Sequence, residues 1–262
     1  MKIATFNVNG ITTRLPRLLE WLQESQPDVA CLQELKTQDA TFPAAAIEAA
    51  GYGAVWQGQK SWNGVALLAR GRQPAEIHEM QRGLPGDPDD LQSRYLQAQI
   101  GDVIVASLYL PNGNPQPGPK FDYKLKWFER LIAHAKELQQ HTSPVVMAGD
   151  YNVVPSDDKH DIYSPNSWLN DALLQPETRE AYRRLLAQGW TDAINKLHAG
   201  EPMYTFWDYF RNRWQRNSGL RIDHLLLNPP AAARLQAAGV DREVRGREKP
   251  SDHAPTWVQL KD

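Results

Sequence analysis

The sequence has little of what stabilises a small secreted domain or carries a chain through a membrane. Its one cysteine, Cys31, excludes an internal disulfide and a cysteine-ligated zinc centre. No apolar run approaches the ~20 residues that cross a bilayer. The opening MKIATFNVNG also lacks the long apolar region and the small-residue cleavage site of a secretion signal. We therefore expect a cytoplasmic protein without a membrane partner.

A net positive charge is also absent, because 29 Lys and Arg residues stand against 31 Asp and Glu residues, for a formal net charge of −2. The field of the whole molecule therefore does not attract a polyanion, and nucleic-acid binding needs a local basic surface together with a bound cation. The remaining composition is typical of a globular protein, with 41% hydrophobic and 23% charged residues among 262. No low-complexity linker divides the chain, which predicts a single domain over residues 1–262.

The hydrophobic pattern predicts more strands than helices. Alternating or continuous apolar runs predict strands at residues 2–8, 29–32, 65–69, 103–110, 145–148, 204–209, 222–227 and 256–260. Apolar residues at helical spacing predict helices around residues 15–22, 120–140 and 177–188. The order strand, turn, helix, strand occurs near residues 3–34 and again near 103–150, a faint sign of internal duplication.

Acidic residues follow four of the apolar segments. They are Glu34, Asp150, Asp223 and Asp252, and an amide, Asn152, stands two positions after the second of them. A single acid at a strand end is most often a cap or a solvated turn, but four in this arrangement predict convergence on one rim of a sheet. Carboxylate and amide oxygens suit Mg²⁺ better than Zn²⁺.

Six motifs stand in the order found in one known group of enzymes. They are Phe6–Gly10, Leu32–Glu34, Leu108–Gly113, Gly149–Asn152, Ile222–His224 and Ser251–Pro255. Together they resemble the motifs of the exonuclease III family, and the segments 204–209 and 218–224 resemble its bacterial branch rather than the sphingomyelinases and inositol phosphatases that share its fold. The resemblance implies a four-layer α/β sandwich, with two mixed β-sheets packed face to face, helices outside, and the site at the rim.

The resemblance also implies an activity. It is that of a DNA repair nuclease, a 3′-to-5′ exonuclease on duplex DNA and an abasic-site endonuclease that hydrolyses the phosphodiester 5′ to the lesion and removes 3′ blocking groups. The implied cofactor is Mg²⁺, with Mn²⁺ as a substitute, and the implied partner is double-stranded DNA, abasic or 3′-blocked, bound by a monomer. The alternatives are a catalytically silent nucleic-acid-binding regulator, which the intact acids argue against, and a phosphatase or lipid phosphodiesterase of the same fold.

Site residues follow from the same motifs. The implied metal ligands are Asn7, Glu34, Asp150, Asn152 and Asp252. Asp150 is also expected to orient or deprotonate the attacking water, and Asn152 to donate to the phosphate. His253 is expected to contact the scissile phosphate while Asp223 bonds its other ring nitrogen.

Further phosphate contacts are expected from the phenol of Tyr109 and from Asn112. Residue Asn9 stands where eukaryotic relatives have an acid, which favours one-metal chemistry. The loop after Asn112, residues 113–116, lacks the arginine that some relatives insert into DNA. His224 faces away from Asp223 by strand alternation and is assigned to packing or surface, and His134 and His141 are expected to be exposed.

A basic segment lies between residues 211 and 221 and contains four arginines and Trp214 but no acid. Its local charge suits a DNA backbone, and a solvated hairpin is the alternative. We expect Arg213 and Arg216 to contact DNA. The apolar pocket for an abasic sugar is expected to be lined by Phe206, Trp207, Leu220 and Ile222, with a core role open for Trp207.

Overall fold

Two six-stranded sheets form the centre of the computed structural model, which describes residues 1–261. The strands are β1 Lys2–Asn7, β2 Val29–Gln33, β3 Tyr52–Gln57, β4 Val65–Arg70, β5 His78–Arg82, β6 Tyr95–Ile100, β7 Val103–Tyr109, β8 Val145–Asp150, β9 Thr191–Asp192, β10 Asp223–Leu227, β11 Leu235–Val240 and β12 Thr256–Leu260. The helices are α1 Ile11–Ser25, α2 Ala44–Ala49, α3 Pro119–Leu138, α4 Pro176–Leu186, α5 Ala193–Leu197 and α6 Pro229–Ala233.

The two sheets have matching strand arrangements. The first has the order β11-β12-β1-β2-β4-β3 and the second the order β5-β6-β7-β8-β10-β9. Each is built around one parallel pair, β1 with β2 and β7 with β8, flanked by antiparallel strands. A single long helix joins the strands of each pair, as a parallel crossover requires. The internal duplication predicted from the sequence is therefore confirmed in the topology.

The layers follow from which side chains each strand buries. Ile3, Val29 and Leu67 of the first sheet pack against Val105 and Leu225 of the second, and these contacts form the central core. On the outer faces, α1 packs on the first sheet and α3 and α4 pack on the second. Because both faces of the central strands are covered, those strands read as continuous apolar runs. The predicted four-layer sandwich is confirmed.

Some local predictions were wrong. Residues 204–209 form no strand, because the main-chain donors of Thr205 and Phe206 bond to Leu220 and that of Trp207 bonds to Asp252 in isolated contacts. The sequence pattern also missed β3, β5, β6, β9 and β11, several of which lie at sheet edges.

His134 was predicted to be exposed but is half-buried, with Nε2 3.0 Å from the Tyr95 hydroxyl. His141 is exposed as expected. Within the described residues, no helix has the length and apolar character needed to cross a membrane.

Candidate active site

The sheet topology brings the predicted acids to one rim. The parallel strands β1, β2, β7 and β8 have their carboxyl ends there, and the antiparallel strand β10 begins there. Asn7, Tyr109, Asp150 and Asp223 occupy these strand ends, and Glu34 directly follows β2. Across the sheets, Asn7 Nδ2 donates to Asp150 Oδ2 over 2.9 Å. Residues 143 positions apart thus meet at one rim of the two sheets.

The groove has a volume of about 720 Å³. Its lining combines acids and amides with a few aromatic side chains. The predicted site residues among them are Glu34, Tyr109, Asn112, Asp150, Asn152, Phe206, Ile222, Asp252 and His253. A concave site with convergent polar groups is the usual form of an enzyme's substrate pocket.

Asp150, Asp223 and His253 form a tight group, and Asp150 and His253 line the groove. Their ligand atoms lie within 4.8 Å of one another, the only such set of three or more Asp, Glu, His or Cys residues within residues 1–261. The Asp223 Oδ2 atom is 2.8 Å from His253 Nδ1, and Asp150 Oδ2 is 3.7 Å from His253 Nε2. All three residues are buried, so their charges act in a medium of low polarity.

The protonation states follow from these contacts. Burial alone would lower the pKa of His253, but the Asp223 carboxylate at its Nδ1 atom, with Asp150 and Asp252 nearby, raises that pKa to about 10. His253 is therefore an imidazolium at neutral pH. Burial raises the pKa of Asp150 to about 7, against the opposing effect of the His253 charge. A carboxylate with a pKa near neutrality is suited to accept a proton from water.

Glu34 forms a second charged group beside the first. Its Oε1 atom accepts from Asn7 Nδ2 at 2.9 Å and from the Tyr109 hydroxyl at 2.8 Å, and its Oε2 atom pairs with Lys36 Nζ at 2.7 Å. Burial favours the neutral acid, but the Lys36 ammonium and these hydrogen bonds hold the pKa of Glu34 below its ordinary value. Burial and the charges of Glu34 and Asp150 raise the pKa of Tyr109 well above 10, so its phenol remains a donor.

The main chain at the site adopts an uncommon conformation. Asn9, Glu34, Lys36 and Asn152 have φ values of 45°, 52°, 52° and 47°. Left-handed backbone is tolerated by asparagine but is costly for glutamate and lysine. Such conformations cluster at functional sites, where the surrounding structure holds them in place.

Several predicted residues lie in or beside the groove but use their polar atoms differently from the expectation. Asn7 presents its amino group to the Glu34 and Asp150 carboxylates. Asn152 donates to the Leu110 carbonyl at 2.9 Å and accepts from Asn112 Nδ2 at 3.2 Å. The amide groups of Asn7 and Asn152 therefore form hydrogen bonds that link the elements carrying the acids. Asp252 is half-buried, and its Oδ1 atom accepts from Asn9 Nδ2 at 3.0 Å.

The expected apolar pocket is assembled only in part. Phe206 and Ile222 line the groove, and the Phe206 ring lies against the His253 imidazole at 5.0 Å. Leu220 is buried beneath them in the same apolar cluster. Trp207 does not reach the groove, because it is 1% exposed and packs edge-on against Trp214 in a separate cluster. Of the two roles left open for Trp207, the structure places it in the core.

The arginines of the basic segment, residues 211–221, do not all reach the surface. Arg211 and Arg216 are exposed, and Arg213 lies over the Trp168 ring at 4.7 Å beside the groove. Arg221 is buried at 1% exposure between Asp161 and Asp192, with N···O distances of 2.7 and 2.6 Å. Because an arginine enclosed by two carboxylates cannot reach a ligand, Arg221 is removed from the predicted basic surface.

Several groove residues were missed by the sequence reasoning, among them Lys36, Arg94 and Trp168. Lys36 stands two positions after Glu34, so the motif itself offered a signal for it. Arg94 stacks on the Tyr109 ring at 4.7 Å. Neither Arg94 nor Trp168 adjoins a motif, and only the fold places them.

His224 packs behind the site, as alternation predicted. Its ring contacts Tyr151 and Tyr182, its Nδ1 atom lies 3.0 Å from Arg221 Nη1, and its Nε2 atom lies 3.1 Å from the Val153 carbonyl. Burial and the Arg221 charge lower the pKa of His224 to about 4. The neutral ring therefore accepts from Arg221 and donates to Val153.

The burial of the neutral His224 ring leads to a prediction about the pH dependence of stability. An unfolded His224 binds a proton near pH 6.5 and a folded one near pH 4, so the native state loses stability as the pH falls through that window. The loss from this residue is about 3 kcal/mol. We expect His224→Gln, which keeps a donor and an acceptor, to show a shallower fall in unfolding free energy between pH 6.5 and 4 in urea titrations. Parallel curves for the two proteins would contradict the assignment of a neutral buried ring.

Comparison with known proteins gives one consistent result. The model of the endonuclease/exonuclease/phosphatase family matches residues 4–253. The chain is 35% identical to exodeoxyribonuclease III of Haemophilus influenzae, over all of both chains. Among solved structures, it is similar to the 3′ phosphatase NExo from Neisseria bound to a product DNA hairpin, with a TM-score of 0.92 and 38% identity over all of both chains. It is also similar to an AP endonuclease from Archaeoglobus fulgidus, with a TM-score of 0.93 and 36% identity over all of both chains.

The family match covers nearly the whole chain, and its residues 4–253 run from the first strand to the histidine of the acidic group. The relatives at 35% to 38% identity extend over the full length. The chain belongs to the endonuclease/exonuclease/phosphatase family.

Proposed function

We propose that the protein is a DNA repair nuclease that hydrolyses phosphodiester bonds of duplex DNA as a 3′-to-5′ exonuclease and as an AP, or abasic-site, endonuclease, and that it removes 3′ blocking groups. The proposal rests on the buried set Asp150, Asp223 and His253, of which Asp150 and His253 line a large groove while Asp223 bonds to His253 Nδ1. Exodeoxyribonuclease, 3′ phosphatase and AP endonuclease are the activities in the names of full-length relatives. All three activities break the bond between phosphorus and a 3′ oxygen.

The residues supply the parts that such a hydrolysis needs. Asp150, with a pKa of about 7, accepts the proton of the attacking water. The His253 imidazolium donates to a non-bridging oxygen as negative charge develops there. Asp223 fixes the ring through Nδ1, so that Nε2 faces the groove. Asn112 lies at the groove wall, where the amide hydrogen that it does not share with Asn152 can donate to a phosphate oxygen. The Tyr109 hydroxyl can do so by exchanging its Glu34 acceptor for the phosphate.

A divalent cation fits the same groove, and we assign it as Mg²⁺, with Mn²⁺ as a substitute. The chemistry of the lining supports the fit, because the carboxylates of Glu34, Asp150 and Asp252 all border the groove. Hard oxygen donors of this kind are the ligands that Mg²⁺ prefers. When bound, the ion neutralises charge on the phosphate.

The proposed ligands remain Asn7, Glu34, Asp150, Asn152 and Asp252, and Asp150 also belongs to the tight group with Asp223 and His253. Asp252 and Glu34 offer the least enclosed oxygens of the set. Asn9 contributes an amide and not a third carboxylate between them, which favours a single ion.

The proposed substrate is double-stranded DNA that is abasic or 3′-blocked. The groove has an apolar wall, formed by Trp168, Leu173, Phe206 and Ile222, directly beside His253. A wall of this kind accommodates a sugar without hydrogen-bonding a base. We further propose that the protein acts as a monomer, as one domain over residues 1–262, in the cytoplasm.

Product analysis on matched duplexes tests the proposed function. One duplex carries a single abasic analogue and the other a normal nucleotide, and each is incubated with Mg²⁺ or with EDTA. We expect cleavage on the 5′ side of the analogue, stepwise loss of nucleotides from recessed 3′ ends, and no products in EDTA. DNA that stays intact with Mg²⁺ as well as with EDTA would favour the catalytically silent nucleic-acid-binding alternative. Activity limited to the release of inorganic phosphate from small phosphomonoesters would favour a phosphatase.

Binding of duplex DNA should depend on the basic surface that includes Arg213 and Arg216 and not on the net charge of the protein. Replacing Arg213 and Arg216 by glutamine is expected to weaken binding to all duplex sequences alike. It should also flatten the slope of log K against log salt by about 0.9 for each DNA phosphate that the protein no longer neutralises. The measurement is duplex affinity in EDTA at several salt concentrations.

A matched control removes the same charge elsewhere. Arg72 and Arg183 are exposed and paired with Glu76 and Glu180. Their double replacement by glutamine should leave the slope unchanged. If the Arg213 and Arg216 variant also keeps the parent slope and affinity, the segment is a solvated turn and does not bind DNA.

A further inference from the structure

The segment that follows Asp150 is held from behind by three side chains. It leaves the sheet after β8, so its main-chain carbonyls have no strand partner. The three successive carbonyls of residues 152–154 are instead bonded by side chains from three different elements. Lys124 of α3 donates to Asn152, His224 of β10 lies 3.1 Å from Val153, and Arg179 of α4 donates to Val154.

Lys124 is the most unusual of the three. It is fully buried, with 0% exposure, although lysine is almost never found in that state unless paired. Its Nζ atom has no direct carboxylate partner within residues 1–261. It donates instead to the Asn152 carbonyl at 2.5 Å and to the Asn112 carbonyl at 3.0 Å.

Those two carbonyls belong to the two loops that close one side of the groove. Asn112 lies in the loop after β7, and Asn152 lies in the loop after β8. The chain also leaves room for the lysine, because a Cβ atom at Gly113 would lie 2.6 Å from Lys124 Cδ. The Lys124 side chain thus joins the ends of the two parallel strands that carry Tyr109 and Asp150.

Asn152 connects Lys124 to Asp150. Asn152 has a left-handed main chain, with φ of 47°. Its N–H donates to Asp150 Oδ1 at 2.9 Å, and its side chain bonds to Leu110 and Asn112. The N–H and the carbonyl of Asn152 lie in successive peptide planes that meet at its Cα atom. Without a donor on the carbonyl, the φ and ψ angles of Asn152 are less restrained, and so is the N–H that orients Asp150.

We propose that Lys124 is a positioning residue for phosphodiester hydrolysis, acting as a buried cross-link that sets the orientation of Asp150 and Asn112 through the Asn152 and Asn112 carbonyls. The proposal rests on the nuclease function described above. Lys124 does not touch the substrate, since its side chain is enclosed by the protein. Burial lowers the pKa of Lys124 to about 7, but the neutral amine still has the two N–H groups that the two carbonyls require.

The test compares two replacements of Lys124 with a control on the same helix. Lys124→Met keeps the aliphatic chain to the length of Cε but has no donor, whereas Lys124→Arg keeps the donors. Lys126→Met is the control, because Lys126 is exposed two positions along α3. For each protein, the single-turnover cleavage rate at saturating enzyme is measured with Mg²⁺, and duplex affinity is measured in EDTA.

We expect Lys124→Met to cleave about 100-fold more slowly, the size of effect that a small misplacement of catalytic groups produces. Its duplex affinity should match that of the parent. Lys124→Arg should recover most of the rate, and Lys126→Met should be indistinguishable from the parent. Should Lys124→Met lack a cooperative thermal transition, Lys124→Leu replaces it, because leucine also has no donor.

Three results would overturn the proposal. An unchanged rate in the folded donor-free variant would show that the cross-link does not orient the site. Equal decreases in the Met and Arg variants would indicate packing alone. A decrease in affinity as large as the decrease in rate would make Lys124 part of the binding surface. An inactive parent protein would count against the nuclease function itself, so the two failures are distinguishable.

Discussion

Replacing Asp150 by asparagine is expected to slow phosphodiester cleavage by about 10²–10⁴-fold while duplex binding is retained. The amide has the shape of the carboxylate but cannot accept a proton from water. The burial and the surrounding charges that raise the pKa of Asp150 to about 7 make it the best-suited proton acceptor in the groove. The measurement is the single-turnover rate with Mg²⁺, paired with duplex affinity in EDTA.

A second carboxylate in the groove wall provides the control for this substitution. Asp171 lines the same groove, but its Oδ1 atom bonds to Asn114 and to the Leu173 main chain, away from His253. Asp171→Asn should therefore have a much smaller effect on the rate. Turnover of Asp150→Asn close to that of the parent, once deamidation has been excluded by mass spectrometry, would move the proton acceptor to another residue.

Replacing His253 by asparagine is expected to lower the rate by about 10²–10³-fold, the decrease that follows removal of one preorganised donor from a developing charge. The buried imidazolium places a full positive charge on the groove floor, and a neutral amide cannot replace it. Asp223→Asn should have a smaller effect, since the ring stays and only its charged partner at Nδ1 is removed.

The pH dependence of the cleavage rate of Asp223→Asn distinguishes an effect of Asp223 on the charge of His253 from an effect on packing. In the parent protein, the rate should rise with pH as Asp150 loses its proton and fall toward pH 10 as His253 loses its own. Without the Asp223 carboxylate the pKa of His253 falls, so the descending limb should move to lower pH. A variant with a reduced rate and an unmoved descending limb would contradict the account of the His253 charge.

The sequence carried enough information to place the acids, because the carboxyl ends of parallel strands meet at one edge of a sheet. Glu34 and Asp150 follow apolar runs that are fully buried strands, and both lie in the groove. The four-layer architecture depended on the resemblance, since the hydrophobic pattern missed five strands. A short edge strand such as β9 has too few residues for any periodicity to be visible.

What could not be predicted depends on contacts between distant parts of the chain. Arg221 looked like part of a basic surface, but Asp161 and Asp192, 60 and 29 positions away, enclose it. Lys124 looked like one more charged residue of a long helix, and its two acceptors are main-chain carbonyls that no sequence pattern marks. Local composition gives the charge of such residues, but only the packing decides whether that charge faces solvent or the interior.

In the proposed reaction, water that is activated in the Asp150–His253 groove supplies an oxygen to phosphorus as the bond between phosphorus and the 3′ oxygen breaks. Digestion of a recessed duplex in ¹⁸O-labelled water, with mass spectrometry of the released deoxynucleoside 5′-monophosphates, tests it most directly. We predict one solvent oxygen in the phosphate of each released nucleotide, and none in nucleotide that is added afterwards and incubated with the protein. Release of products whose phosphate contains no solvent oxygen would contradict the claim, because the bond would then have been broken at carbon.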